Sequence, residues 1–152
     1  MDKNKRAKDK AIKRNSDYLF FIGIDTGTNT GLAIWERSTK KFLLIKTMKI
    51  HRAMEIVLEY SSKGSTIVRV EDARLREYFG NKGREVLQGV GSVKRDASIW
   101  EDFLSDKNID FEMVAPKNNN TKLSQEYFNK MTKWKGITSE HARDAAMLCY
   151  GY

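Results

Sequence analysis

Tyr18-Leu-Phe-Phe-Ile-Gly-Ile-Asp25, followed by Thr26-Gly27-Thr28-Asn29-Thr30, is an unbroken apolar run that stops on a carboxylate and a polar turn. A short run without alternation suits a central strand covered on both faces. Gly31-Leu-Ala-Ile-Trp-Glu-Arg37 and Lys41-Phe-Leu-Leu-Ile-Lys46 follow at once, which predicts an antiparallel meander of three strands. Ser65-Thr-Ile-Val-Arg-Val-Glu71 is rich in β-branched residues and predicts a fourth strand, again ending on a carboxylate. Asp110-Phe-Glu-Met-Val114, closed by Pro116, predicts a fifth.

Helical spacing fills the intervals. Ile50, Met54, Val57 and Leu58 mark one helix over Ile50 to Tyr60. Val86, Val90, Val93, Ala97, Trp100 and Leu104 form one stripe of a long helix starting at Arg84, with small residues at Gly89, Gly91 and Ser92. The stripe fits packing against the sheet. Two further helices are expected at about 121–132 and about 138–150, the second N-capped by Thr138 or Ser139. Asp72 to Gly83 reads as a charged loop or short helix. The pattern is α/β, without an internal repeat.

The 152 residues carry 28 Lys+Arg against 20 Asp+Glu, a formal net charge of +8. That excess makes nucleic acid the leading partner, because it is the electrostatic footprint of phosphate binding. At 40% hydrophobic and 11% aromatic the composition supports a real core. No stretch approaches the ~20 apolar residues of a membrane span, so no membrane role is expected. The single Cys149 excludes a disulfide framework and a cysteine-rich zinc site. Residues 1–16 hold seven Lys/Arg and two Asp with few apolar residues, which predicts a flexible basic arm ahead of a domain over 17–152. The arm has no apolar stretch behind its basic residues, so it is not expected to be a secretory signal, and a cytoplasmic location follows.

Four residues stand where chemistry can be assembled. Asp25 ends strand one, Glu71 ends strand four, and His141 and Asp144 open the last helix on one face, three residues apart. Asp72, next to Glu71, is an alternative to it. Hard oxygen donors from three elements, with one imidazole, suit Mg2+ completed by waters and phosphate oxygens. Two such ions can activate water and stabilise the leaving oxygen in phosphodiester hydrolysis.

Phe21-Ile-Gly-Ile-Asp25-Thr-Gly27-Thr-Asn-Thr-Gly31, Val68-Arg-Val-Glu71, Phe111-Glu-Met-Val-Ala-Pro116 and His141-Ala-Arg-Asp144-Ala-Ala-Met-Leu148 together resemble the RuvC family of Holliday junction resolvases, most nearly its short phage-type members. The resemblance spans about residues 18–152. It implies a ribonuclease H-like fold: a five-stranded mixed sheet, antiparallel in strands one to three and parallel in strands four and five, flanked by helices. It implies Asp25, Glu71, His141 and Asp144 as catalytic metal ligands for two Mg2+ ions, with Mn2+ able to substitute. The activity implied is a crossover junction endodeoxyribonuclease of DNA recombination and repair in a bacterial cell, and the sequence does not say whether the source is a phage or a mobile element.

The same resemblance implies that Lys117 and Lys122 grip branched DNA. The family's aromatic wedge a few residues past the Glu is displaced here: Arg74 and Arg76 come first, as further DNA contacts, and Tyr78 and Phe79 follow. It also implies a homodimer through helices of the 84–104 region, which suits paired symmetric nicks across a four-way junction. The alternatives are a ribonuclease H-like nuclease of forks, flaps or other branched nucleic acid, and a non-catalytic junction binder. The 25–31 loop also resembles the phosphate loop of actin-like ATPases and sugar kinases, but that fold needs two such domains and a second glycine-rich motif.

Overall fold

The computed structural model describes residues 18–76 and 84–152, with side chains described except at 84–90 and 93. The expected arm at 1–16, Tyr78 and Phe79, Gly89 and the side chains of Val86, Val90 and Val93 lie outside the described residues. The five expected strands are present. They are β1 (Phe20–Asp25), β2 (Asn29–Glu36), β3 (Lys41–Lys49), β4 (Thr66–Glu71) and β5 (Asp110–Val114), in the order β3-β2-β1-β4-β5. β1, β2 and β3 pair antiparallel, whereas β1–β4 and β4–β5 are parallel. β1 is central and all six of its residues are buried, as an apolar run without alternation requires. β2 starts at Asn29 and β3 runs on to Lys49, because Asn29 pairs with Lys49 and Thr30 with Met48. The turn after Asp25 is therefore tight, with Thr30 Oγ1 donating to the Gly27 carbonyl at 2.9 Å. Exposed Lys41, Lys46 and Lys49 line β3, an edge strand. Charges there oppose pairing with another chain.

Strand parity sorts the sheet into two faces. Phe20, Ile22 and Ile24 of β1, Leu32 and Ile34 of β2, and Val68 and Val70 of β4 share one core with α1 (Ile50–Lys63) and α2 (Arg84–Asp106). Trp100 and Leu104 of the long stripe are fully buried there, as is Ala97, so its described half packs against the fold. Phe21, Ala33, Trp35 and Ile67 face the other way, toward α3 (Gln125–Thr132) and α4 (Glu140–Met147). By the same parity Gly23, Asp25, Gly31 and Glu71 lie on the α4 face. Among the described residues no helix is long and apolar enough to cross a membrane.

Both short helices differ from expectation at their ends. α3 begins at Gln125, not at 121, because Lys122 has φ +60° and Ser124 provides the N-cap, accepting from Tyr127 N at 3.2 Å. A left-handed residue cannot be part of an α-helix. Ser139 rather than Thr138 caps α4, accepting from Ala142 N at 3.1 Å. α4 stops at Met147, where Leu148 and Cys149 close tighter turns onto Ala145 and Ala146.

α4 lies directly on the backbone of β1 and β2. A Cβ at Gly23 would stand 1.9 Å from the Ala145 carbonyl oxygen, and one at Gly31 would stand 2.1 Å from that of His141. Only glycine leaves room for this approach, and Ala142, Ala145 and Ala146 keep the helix side of the contact equally small. Gly23→Ala and Gly31→Ala are each expected to cost about 2–3 kcal/mol and lower Tm by about 5–10 °C. Gly91→Ala in α2, whose added Cβ would meet nothing within 4 Å, serves as the control. Thermal melts should show it unchanged or stabilised by up to ~1 kcal/mol. Equal melting of all three variants would refute the close-contact argument.

Candidate active site

Ile24 pairs with Val70, so Asp25 and Glu71 are the next residues on two adjacent parallel strands, at their carboxyl ends. Open α/β sheets bind ligands at that edge. α4, seated on Gly23 and Gly31, brings its first turns over the same edge. His141 Nδ1 lies 2.8 Å from Asp25 Oδ2. An ionised carboxylate can only accept, so the ring proton sits on Nδ1 and Nε2 is left as an acceptor. The His141 side chain is 59% exposed, whereas that of Asp25 is only 12% exposed.

A second ring of neutral donors holds the other carboxylates. Asn119 Nδ2 donates to Glu71 Oε2 at 3.1 Å and to the Asp144 carbonyl at 3.0 Å, which ties strand β4 to helix α4. Two acceptor partners require the amide nitrogen on this side, and Asn119 Oδ1 is left buried without a hydrogen bond. Lys122 contributes its backbone: the left-handed turn directs its N–H to Asp144 Oδ1 at 2.9 Å. Arg143 pins that loop, donating to the Leu123 carbonyl at 2.8 Å and to Gln125 Oε1 at 3.2 Å. At its two ends α4 is tied by Thr47, bonded to Ser139, and by Arg69, which donates to the Leu148 carbonyl.

The site carries excess negative charge. Burial pushes the Asp25 carboxyl up to about 6, with Glu71 and Asp144 adding to the rise; the His141 hydrogen bond opposes it. Asp144 is raised by burial too, against the Lys122 N–H and the nearby His141 and Arg143. Among the described residues no three His, Cys, Asp or Glu side chains stand close enough to enclose one ion. The donor set nevertheless fits Mg2+, which takes one or two carboxylates and completes its shell with water and phosphate oxygens. Such a cation would offset the part of the rise at Asp25 that comes from Glu71 and Asp144.

The remaining expected residues divide. Lys117, Lys122 and Arg76 are exposed. Arg74 is not: its guanidinium pairs with both oxygens of Asp72 (2.7–3.1 Å), with Ser98 Oγ at 3.1 Å and with Glu101 at 3.1 Å. In the free protein Arg74 thus links the end of β4 to α2. Asp72 is 2% exposed and committed to Arg74 and to capping the turn Ala73–Leu75. It is not an alternative to Glu71. Asn119, Arg143 and the Lys122 amide were not legible as site residues in the sequence. The run Asn118-Asn119-Asn120 next to Pro116 was the only available signal.

No family model matches the sequence, and no curated protein matches it. Among solved structures, the chain is similar to T. thermophilus RuvC in complex with Holliday junction substrate, with a TM-score of 0.55 and 18% identity. The match covers 86% of this chain and 90% of that one. At this identity the likeness is one of fold, and the fold is ribonuclease H-like.

Two predictions follow from the electrostatics. In the folded state Asp25 takes up its proton near 6 rather than 3.8, so its contribution to stability is present at low pH and lost as pH rises through about 6. The loss is on the order of 3 kcal/mol by pH 8. Asn at this position can still accept from His141 but cannot ionise. In EDTA, Asp25→Asn should therefore melt above wild type by a margin that widens from pH 5 to pH 8; a flat margin would show an ordinary carboxyl. Asn119→Asp replaces the donor facing Glu71 with an acceptor. Its Tm should fall below wild type by about 5 °C at pH 8 and by less at pH 5, whereas the loss in Asn119→Ala should not vary with pH.

Proposed function

We propose that this ribonuclease H-like domain is a structure-selective DNA endonuclease that resolves Holliday junctions by paired symmetric nicks, acting as a homodimer in a bacterial cytoplasm. The observation that carries the reading is the pair of strand-end carboxylates, Asp25 and Glu71, roofed by a helix that sets His141 on Asp25 at 2.8 Å. Similarity of fold to a RuvC in complex with Holliday junction substrate supports the same class of substrate.

Hydrolysis of a phosphodiester needs a deprotonated water, relief of negative charge on the phosphate and a stabilised leaving oxygen. Asp25, Glu71, Asp144 and His141 Nε2 would hold two Mg2+ ions, for which Mn2+ can substitute, and these would supply charge neutralisation and a more acidic water. The protein's own groups set the geometry. Asp25 orients the imidazole so that Nε2 is an acceptor. Asn119 and the Lys122 N–H hold the carboxylates of Glu71 and Asp144 in fixed rotamers without adding charge. Lys117, Lys122 and Arg76 are exposed cations suited to the flanking phosphates. Under this reading residues 1–16 would add sequence-independent phosphate contacts. Two copies related by a two-fold axis would present two such sites to opposite strands.

The test is turnover with Mg2+ on four-way junctions, forks, flaps and linear duplex. Asp25→Asn and Glu71→Gln are expected to bind a junction at least as tightly as wild type and to cut it at least about 100-fold more slowly. His141→Asp should retain substantial activity, because a carboxylate is also a hard donor, and His141→Ala should lose most of it. Equal cutting of forks or flaps would move the reading to a general branched-DNA nuclease. Junction binding without any cutting by wild type would leave only a binding protein.

A further inference from the structure

Each of the three carboxylates at the site has one oxygen already taken. Asp25 Oδ2 is bonded to His141 Nδ1 at 2.8 Å, Glu71 Oε2 accepts from Asn119 Nδ2 at 3.1 Å, and Asp144 Oδ1 accepts from the Lys122 N–H at 2.9 Å. Among the described residues no hydrogen bond engages the other oxygen of any of the three. The site therefore offers one oxygen per carboxylate.

Of the three donors, Asn119 is the one held at a cost. Its nitrogen has to face Glu71 and the Asp144 carbonyl, since both are acceptors, and Oδ1 is then left in the interior without a partner. A buried acceptor in that state costs about 1–3 kcal/mol. The amide meets a requirement that other side chains do not: two N–H donors on one nitrogen, without charge. Lysine or arginine would neutralise Glu71 and repel a cation, and serine or threonine would supply a single donor. The same bond pair turns Glu71 toward α4 and keeps it there.

Large and small hard cations respond differently to such a set. Ca2+ gathers about six to eight oxygens and readily takes both oxygens of a carboxylate, whereas Mg2+ keeps a strict octahedral shell and retains several waters. Ligation through both oxygens of Glu71 has to compete with Asn119. No three His, Cys, Asp or Glu side chains among the described residues stand close enough to enclose one ion, so water or substrate oxygens must complete its shell. We propose that Asn119 sets the cation preference of this site, holding Glu71 to a single oxygen and so favouring Mg2+ over Ca2+. The inference rests on the metal-dependent nuclease reading above and assigns its selectivity to a positioning residue that acts through Glu71.

The experiment uses the full chain at pH 8 with Mn2+ as the probe, its free fraction read by electron paramagnetic resonance, and with Mg2+ and Ca2+ as competitors. Wild type should release Mn2+ to Mg2+ at least as readily as to Ca2+. In Asn119→Ala, Mg2+ should compete about tenfold less well, as when a group that orients a metal ligand is lost. Ca2+ can recover the freed oxygen and should stay within about threefold of wild type. Asn119→Ser should shift the ratio in the same direction, and Asn120→Ala, at an exposed neighbour in the same loop, should leave it unchanged. A site that is merely loosened loses affinity for both cations alike. An unchanged Mg2+ to Ca2+ ratio in a cooperatively melting Asn119→Ala therefore overturns the proposal and leaves the nuclease reading standing. A wild type that favours Ca2+ overturns it as well, without reference to any variant. A wild type that binds no Mn2+ overturns both.

Discussion

The contact of α4 with bare sheet backbone is the constraint on which the site depends. Gly23 and Gly31 lie on one face of two adjacent antiparallel strands, with Gly31 directly opposite Asp25. Their missing side chains let the carbonyls of Ala145 and His141 come down where any Cβ would collide. Had the helix stood at an ordinary side-chain distance, His141 could not reach the Asp25 carboxylate at 2.8 Å. The helix is only eight residues long and would be marginal alone. Its stability comes from Ala142, Ala145 and Ala146 in the core, from the Ser139 cap and from Arg69 on the Leu148 carbonyl.

Placed so, the helix gathers acidic groups that repel one another. Among the described residues, the arginines near these groups are engaged mainly elsewhere. Arg74, the nearest arginine in sequence after Glu71, is consumed by Asp72 and Glu101, and Arg143 turns to carbonyls and Gln125. The carboxylates of Glu71 and Asp144 are instead held by an amide and a backbone N–H, which fix direction without neutralising charge. Burial raises the Asp25 carboxyl to about 6, and Glu71 and Asp144 add to the rise. This is the pattern expected where folding stability is given up so that a site retains attraction for a cation or another positive group.

The two faces of the sheet divide the labour. On one, Trp100, Leu104 and the even-numbered residues of β1 make a large apolar core with α1 and α2. On the other, a smaller core of Phe21, Trp35, Phe128 and Cys149 supports α3, α4 and the chain end, where Tyr152 stacks on Phe21 and lies beside Arg69. Arg74 links the site's rim to the larger core through Ser98 and Glu101 on α2. Movement of α2 would therefore be felt at the end of β4.

The sequence alone determined the five strands, the antiparallel meander of the first three and the placing of Asp25 and Glu71 at strand ends, because these follow from local period and composition. The parallel direction of β4 and β5 came only from the family resemblance. The spacing of three between His141 and Asp144 likewise follows from helix geometry. Tertiary structure decided the rest. Asp72 and Glu71 are adjacent and chemically alike, and only strand parity together with the Arg74 clamp turns Glu71 toward α4 and Asp72 away. Lys122 was read as a helix start, but the chain makes a left-handed turn there, and its amide rather than its ammonium meets Asp144. Asn119 joins residues 48 and 25 positions away. Such partners depend on the path a loop takes across the folded sheet, and no pattern within a few residues records that path. The sequence therefore names the acidic and imidazole groups of the candidate site, while the groups that hold them emerge only when distant segments are packed together.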